Sequence, residues 1–253
     1  MKKILILSLF VMTVFMSQNA FSQSNKLSFA IFGGYSAPTA ELKGEMDFKD
    51  FSAHMFANNY SMKSGFNVGG SAKYALDRMG NLQLTGSVIY NGFSRTADTV
   101  DAVNGSETAD LKMNILSANI GAQYNFMPNH KVNPYVNVDF TNNFISGSSK
   151  VVTNNTTTST DKSLKSAWRG GLQLGAGIDF AVSPNIGILV GGNYNFANLI
   201  GKDTTSSVGG TEYALNDKEY TPNPGASLIS AKSISYIQLY AGVSIYMNRI
   251  LRK

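Results

Sequence analysis

The clearest alternation of apolar and polar positions lies at the end of the chain, from Ile234 to Met247. Ile237, Leu239, Ala241, Val243, Ile245 and Met247 alternate there with Tyr236, Gln238, Tyr240, Gly242, Ser244 and Tyr246. A period of two places successive side chains on opposite faces of a strand. The same pattern predicts strands upstream at Leu27 to Ser36, Gly65 to Leu76, Leu82 to Phe93, Asn114 to Phe126, Tyr135 to Ile145, Ala167 to Phe180 and Ile186 to Phe196. Between them, long segments at 37–64, 94–113, 146–166 and 197–232 take turns with short ones at Asp77 to Asn81, Met127 to Pro134 and Ala181 to Asn185. This spacing predicts an all-β fold, an eight-stranded antiparallel up-and-down transmembrane β-barrel with short periplasmic turns and long extracellular loops. The prolines agree with the segmentation: Pro38, Pro222 and Pro224 fall in long segments, Pro128 and Pro184 in turns, and Pro134 where a strand begins.

Alternation alone does not say which face points inward, because a soluble barrel with an oily interior has the same period. The polar face decides it. Asn67, Gly69, Ser71, Gln83, Thr85, Ser87, Ser117, Asn119, Gly121, Gln123, Asn137, Thr141, Gly171, Gln173, Gly175 and Asn193 are small or hydrogen-bonding rather than charged. Such residues suit a crowded lumen, whereas a water-facing surface would be rich in Lys and Glu. The apolar face, including Phe29, Ile31, Val68, Leu84, Ile120, Val138, Leu174 and Ile188, is therefore expected in lipid. Aromatic residues gather at its ends. Tyr35, Phe66, Tyr90, Trp168 and Tyr194 predict an extracellular girdle, and Tyr74, Tyr124, Phe126 and Phe180 a periplasmic one.

The start of the chain adds a compartment. Lys2 and Lys3 precede an apolar run from Ile4 to Met16 that is too short to span a bilayer, and Ala20 and Ser22 supply the small residues of a cleavage site. Residues 1–22 are expected to be a signal peptide and 23–253 the barrel; losing both lysines lowers the formal charge from +5 to +3. Charged residues make up only 15% of the chain and cysteine is absent. Stability is thus expected from a closed hydrogen-bonded ladder or a large core, without disulfides. The mild, scattered basic balance argues against nucleic acid as a partner.

Four charges fall on the inward face, Lys73, Asp139, Arg169 and Asp179. They are expected to form a polar network filling the lumen, with Lys73 near enough to Asp179 to pair, because an unpartnered buried charge is costly. A selectivity constriction is the other reading, and the narrow interior of eight strands disfavours it.

Signal peptide, alternating strands and terminal strand together resemble the eight-stranded bacterial outer-membrane β-barrel family, the OmpA/OmpX type with its OmpW-like relatives. The resemblance implies recognition by the barrel-assembly machinery through the last strand, with Gly242, Ile245 and Met247 matching the assembly signal. Asn248 to Lys253 departs from the pattern, since the family usually ends on an aromatic residue. Outer-membrane lipids and lipopolysaccharide are the expected surroundings.

Candidate chemistry is sparse: no metal-ligand spacing, phosphate loop or nucleophile elbow is present, and neither metal nor other cofactor is expected. His54 with Ser52 or Asp50 offers a lipid A acyltransferase or deacylase reading by resemblance, while His130 falls in a turn at the periplasmic end. Asp47 to Phe56 places Phe48, Phe51 and Met55 at helical spacing, predicting a short amphipathic lid over the barrel mouth or an apolar site for a hydrophobic solute. The expected role is non-enzymatic, structural or surface-interacting through the long loops. A narrow conduit for small hydrophobic molecules is the alternative, and lipid A modification the third.

Overall fold

A sheet inside a bilayer must leave no edge unpaired. The computed structural model describes residues 27–44, 59–101, 105–153, 158–204, 212–221 and 228–247. Its strands are β1 (Leu27–Thr39), β2 (Ser64–Ala75), β3 (Leu82–Asp101), β4 (Gly105–Asn125), β5 (Val132–Thr153), β6 (Thr158–Ala181), β7 (Ile186–Ile200), β8 (Glu212–Tyr213) and β9 (Ser235–Met247), with one short helix, α1 (Ala40–Lys43). Each strand from β1 to β6 pairs antiparallel with the next, β7 pairs with β9, and β9 pairs with β1 from Leu27↔Met247 to Thr39↔Ser235. The result is a closed eight-stranded up-and-down barrel, with the two-residue β8 added outside it in parallel to Ser163 and Leu164 of β6.

The apolar face points out, as the small polar lumen residues require. Ile31, Val88 and Ile120 are exposed, at 67%, 56% and 56%, while their neighbours Ala30, Ile89 and Asn119 are buried. An apolar band of this size on a monomer is stable only in lipid.

Three expectations need correction. Segments 94–113 and 146–166 are not loops over most of their length: β3 and β4 stay paired up to Asp101↔Gly105, and β5 and β6 up to Thr153↔Thr158. Pro38 belongs to β1 rather than to the first loop. It pairs with Tyr236, and β1 has lost its other neighbour by then, since pairing with β2 stops at Ser36↔Gly65. A missing N–H is tolerated at such a one-sided position. The proposed lid over 47–56, His54 with Ser52 and Asp50, the signal peptide and the tail from Asn248 lie outside the described residues.

The long hairpins make the mouth uneven. β3 pairs with β2 only as far as Ser94, so β3 to β6 rise as a tall wall on one side. Along this wall the polarity of the two faces inverts. On β4, Leu116 and Ile120 face out, but Leu111, Met113 and Ile115 are buried inside while Lys112 is exposed. Outside the wall is water rather than acyl chain, so the apolar side chains turn in, as in a soluble protein.

Candidate functional site

The lumen has two storeys. In the lower, membrane-embedded one, Asp139 accepts hydrogen bonds from Thr85 Oγ1, Asn137 Nδ2 and Gln173 Nε2, the last at 3.1 Å. Asp179 accepts from the Tyr246 hydroxyl. Lys73 does not form the expected ion pair with Asp179. Its Nζ sits 4.9 Å from the centroid of the Tyr135 ring, with Asp179 and Asp139 acting on it through space. A cation over an aromatic face gains attraction where water is scarce. The Tyr135 and Tyr240 hydroxyls meet at 3.0 Å, and Gln238 Nε2 donates to Asn91 Oδ1 at 2.7 Å. Among these side chains lies a cavity of about 40 Å³ lined by Lys73, Thr85, Gln123, Tyr135, Asp139 and Gln173. That is space for a water or two rather than a path for solute.

The upper storey is an apolar plug. Inward residues of the wall and of β9, namely Phe93, Leu111, Met113, Ile115, Ile145, Leu164 and Tyr236, pack on Leu42 of α1, on Tyr60 and Met62 before β2, and on Leu215 of the last long segment. The incoming segments are pinned by backbone hydrogen bonds: Tyr60 N donates to Glu41 O at 2.8 Å and Met62 N to Leu42 O at 2.9 Å. Ser233 N donates to the Glu41 carboxylate at 2.9 Å.

Arg169 belongs to this upper storey. It stands four residues above Gln173 on β6, about 13 Å along the strand, and so is separated from the network of Lys73, Asp139 and Asp179 in which it was expected. Its Nε and Nη2 donate to the two Asp217 oxygens at 2.8 and 2.7 Å, a bidentate pair with side chains 7% and 0% exposed. Asp217 also accepts from Asn198 Nδ2 at 2.9 Å and from the Asp203 backbone N–H at 3.1 Å. Burial alone would raise its carboxyl, but the hydrogen bonds from Arg169, Asn198 and Asp203 and the guanidinium charge hold it below the ordinary value. Sequence reasoning missed Asp217, because a lone acidic residue in a polar segment has no periodicity to mark it.

Lys232 lies beside this pair, with Nζ 4.8 Å from the Tyr60 ring centroid. Burial pushes its ammonium down from 10.5 to about 8, against the opposing pull of Asp217. The Tyr60 hydroxyl, raised well above its ordinary value by burial and then by the Asp217 charge, stays a neutral donor to Leu215 O at 3.1 Å. A lysine lowered on docking binds fewer protons than when free, so docking strengthens as pH rises from 8 toward 10.5, while below 8 the burial cost of its charge is present in full and does not vary with pH. The protection factor of residues 212–221 against amide hydrogen exchange, taken relative to the faster base-catalysed intrinsic rate, is expected to rise across that window, and Lys232→Met to abolish the rise.

The residues predicted for the girdles all face outward. Phe66 and Tyr90 pack with ring centroids 5.8 Å apart, and Tyr124 and Phe126 at 5.3 Å. The Tyr90 hydroxyl donates to Asn114 at 2.8 Å. Tyr35 and Trp168 stand 49% and 45% exposed, Phe180 is 39% exposed, and Tyr74 and Tyr194 are half-buried. Of the assembly-signal residues, Ile245 and Met247 face lipid, whereas Gly242 faces the lumen opposite Phe32. His130 is exposed in the turn between β4 and β5.

No curated protein matches the chain in sequence. Among solved structures it is similar to Neisserial surface protein A (16% identity, 87% of this chain and 97% of that one, TM-score 0.45). It is also similar to the attachment invasion locus protein Ail of Yersinia pestis in complex with sucrose octasulfate (13%, 88% and 99%, TM-score 0.40), and to the outer-membrane protease OmpT of Escherichia coli (10%, 91% and 99%, TM-score 0.45). At that distance neither ligand nor activity transfers. A family model described as "Outer membrane protein beta-barrel domain" matches residues 8–223, most of the chain. The chain therefore belongs to the outer-membrane protein β-barrel domain family and is a protein of the bacterial outer membrane.

Proposed function

We propose that the protein is a non-enzymatic barrel with a structural or surface-interaction role, presenting the tall β3–β6 wall outside the cell. The observation that carries this reading is the doubly filled lumen: a hydrogen-bonded lower storey with a cavity of only about 40 Å³, capped by an apolar plug. Both speak against a conduit. The wall, by contrast, is a sheet held by continuous backbone ladders and dressed with polar residues such as Thr96, Asp98, Lys112 and Lys150. Rigid display of this kind suits recognition of an extracellular ligand. Within this reading the barrel-assembly machinery inserts the chain through β9.

In planar bilayers the purified protein is expected to give no single-channel steps, and cells overproducing it to keep an unaltered lipid A profile. Steps of defined size would restore the conduit. A new acylation pattern that disappears in His54→Ala would restore the enzyme.

A further inference from the structure

The lipid-facing side of β5 carries one side chain that its surroundings do not explain. Asn142 points outward, half-buried, with Phe144 above it on the strand and Phe140, Val138 and Val136 below, all four exposed. Phe144 stands beside Trp168 of the extracellular girdle, so Asn142 lies about 7 Å along the strand into the apolar band. Its short stem cannot return the amide to the head groups as a lysine stem would. Among the described residues it is the only outward side chain between the girdles that is neither apolar nor a tyrosine. Acyl chains offer an amide no hydrogen bond, and a polar group left unpaired there is costly. Asn142 is nearly unpaired: Nδ2 donates only to the Ala118 carbonyl, at 3.5 Å, and Oδ1 has no partner among the described residues. The amide is also open to one side. On β6 the space over Gly170 is closed by Ile200 and Phe140, which a Cβ there would meet at 3.2 and 3.5 Å, whereas its neighbour on β4 is the exposed methyl of Ala118.

An amide holds donor and acceptor together, so it is complementary to itself. Two copies of the barrel inserted the same way round sit at the same depth, and a two-fold axis along the membrane normal then brings each Asn142 opposite the other. We propose that the outward faces of β4 and β5 form a homodimer interface within the bilayer, in which the two Asn142 amides exchange hydrogen bonds, Nδ2 to Oδ1 in both directions, across the gap left by Ala118. In lipid the apolar side chains around them gain nothing from excluding water, so the amide pair sets the affinity.

The chain has no cysteine, so a single introduced thiol reports the interface. With the full chain in lipid vesicles at a low ratio of protein to lipid, Ala118→Cys is expected to cross-link into a dimer on mild oxidation. Ile31→Cys, on β1 at the opposite side of the barrel and 67% exposed, is expected to give only the background of random collision. Adding Asn142→Leu to Ala118→Cys is expected to weaken the dimer about tenfold, the worth of an amide pair in an apolar medium. Asn142→Gln, which keeps an amide, is expected to retain part of it. Sedimentation in mild detergent repeats the comparison without a thiol, with a dimer expected for the wild type and a monomer for Asn142→Leu. Heat-dependent gel mobility reports that each variant is folded, and Asn142→Leu only sets an apolar side chain in lipid. Equal cross-linking at the two thiols, a dimer indifferent to Asn142→Leu, or a monomeric wild type would overturn the proposal.

Discussion

Arg169→Ala is expected to unseat the last long segment from the barrel mouth while leaving the barrel itself closed. The pair it breaks is not a surface ion pair of about 0–1 kcal/mol. Asp217 is fully buried, and its two oxygens take the fork of the Arg169 guanidinium. Removing one partner of a buried pair leaves the other charge without compensation and costs about 3–5 kcal/mol. Of the bonds left to hold the segment, the neutral one from the Tyr60 hydroxyl to Leu215 O contributes about 1 kcal/mol and the one from Asn198 to the Asp217 carboxylate about 2 kcal/mol. Packing of Leu215 adds to them, but its benefit is lost once the carboxylate seeks water. The β6 ladder does not depend on the Arg169 side chain, since its backbone pairs with β5 and β7.

Limited proteolysis should therefore show new cleavage between 201 and 232 in Arg169→Ala, with an unchanged heat-dependent gel shift. The double variant Arg169→Met/Asp217→Leu should regain much of the protection, because an apolar pair of similar size can replace a buried ion pair at little cost. Protection equal to wild type in the single variant would mean that the apolar plug, rather than the ion pair, closes the mouth.

How much of this was legible in the sequence follows from where the chain meets lipid. Inside the membrane one face must be apolar throughout, so alternation alone located the strands there, the lumen positions of Lys73, Asp139 and Asp179, and the outward aromatics such as Tyr35 and Phe126. Above the membrane the rule reverses, and alternation read with a single phase ends the strands too early. The signal was present. Ile115 with Leu116, and Phe144 with Ile145, are adjacent apolar residues where the period slips by one, the first of each kind facing opposite ways across the boundary. They mark a change of solvent, not the end of a strand. What no pattern could show is the plug. Alternation marks the face of Arg169 but not its partner, and Leu42, Tyr60 and Asp217 reach the mouth from separate segments through tertiary contacts alone.

Gly242→Ala is expected to weaken the seam at which the barrel closes. Gly242 faces inward opposite Phe32, where β9 meets β1. A Cβ there would lie 2.6 Å from Phe32 Cβ and 2.7 Å from its Cα, and would also run into the Ile31 carbonyl oxygen. These are backbone atoms and the root of a side chain, so no rotamer change relieves the clash. Either the two strands separate locally, breaking ladder hydrogen bonds, or Phe32 leaves its contact with Tyr240, whose ring centroid is 5.1 Å away. Overpacking of this kind costs about 1–3 kcal/mol. Gly86→Ala is the matched control, because a Cβ there meets nothing within 4 Å. It is expected to be neutral or to stabilise by up to about 1 kcal/mol, as alanine restricts the unfolded chain. Urea titration in lipid vesicles, where no assembly machinery is present, separates the two roles open to Gly242. A lowered midpoint there assigns the glycine to the β1–β9 seam; an unchanged midpoint, with failed assembly in cells, assigns it to recognition of the last strand.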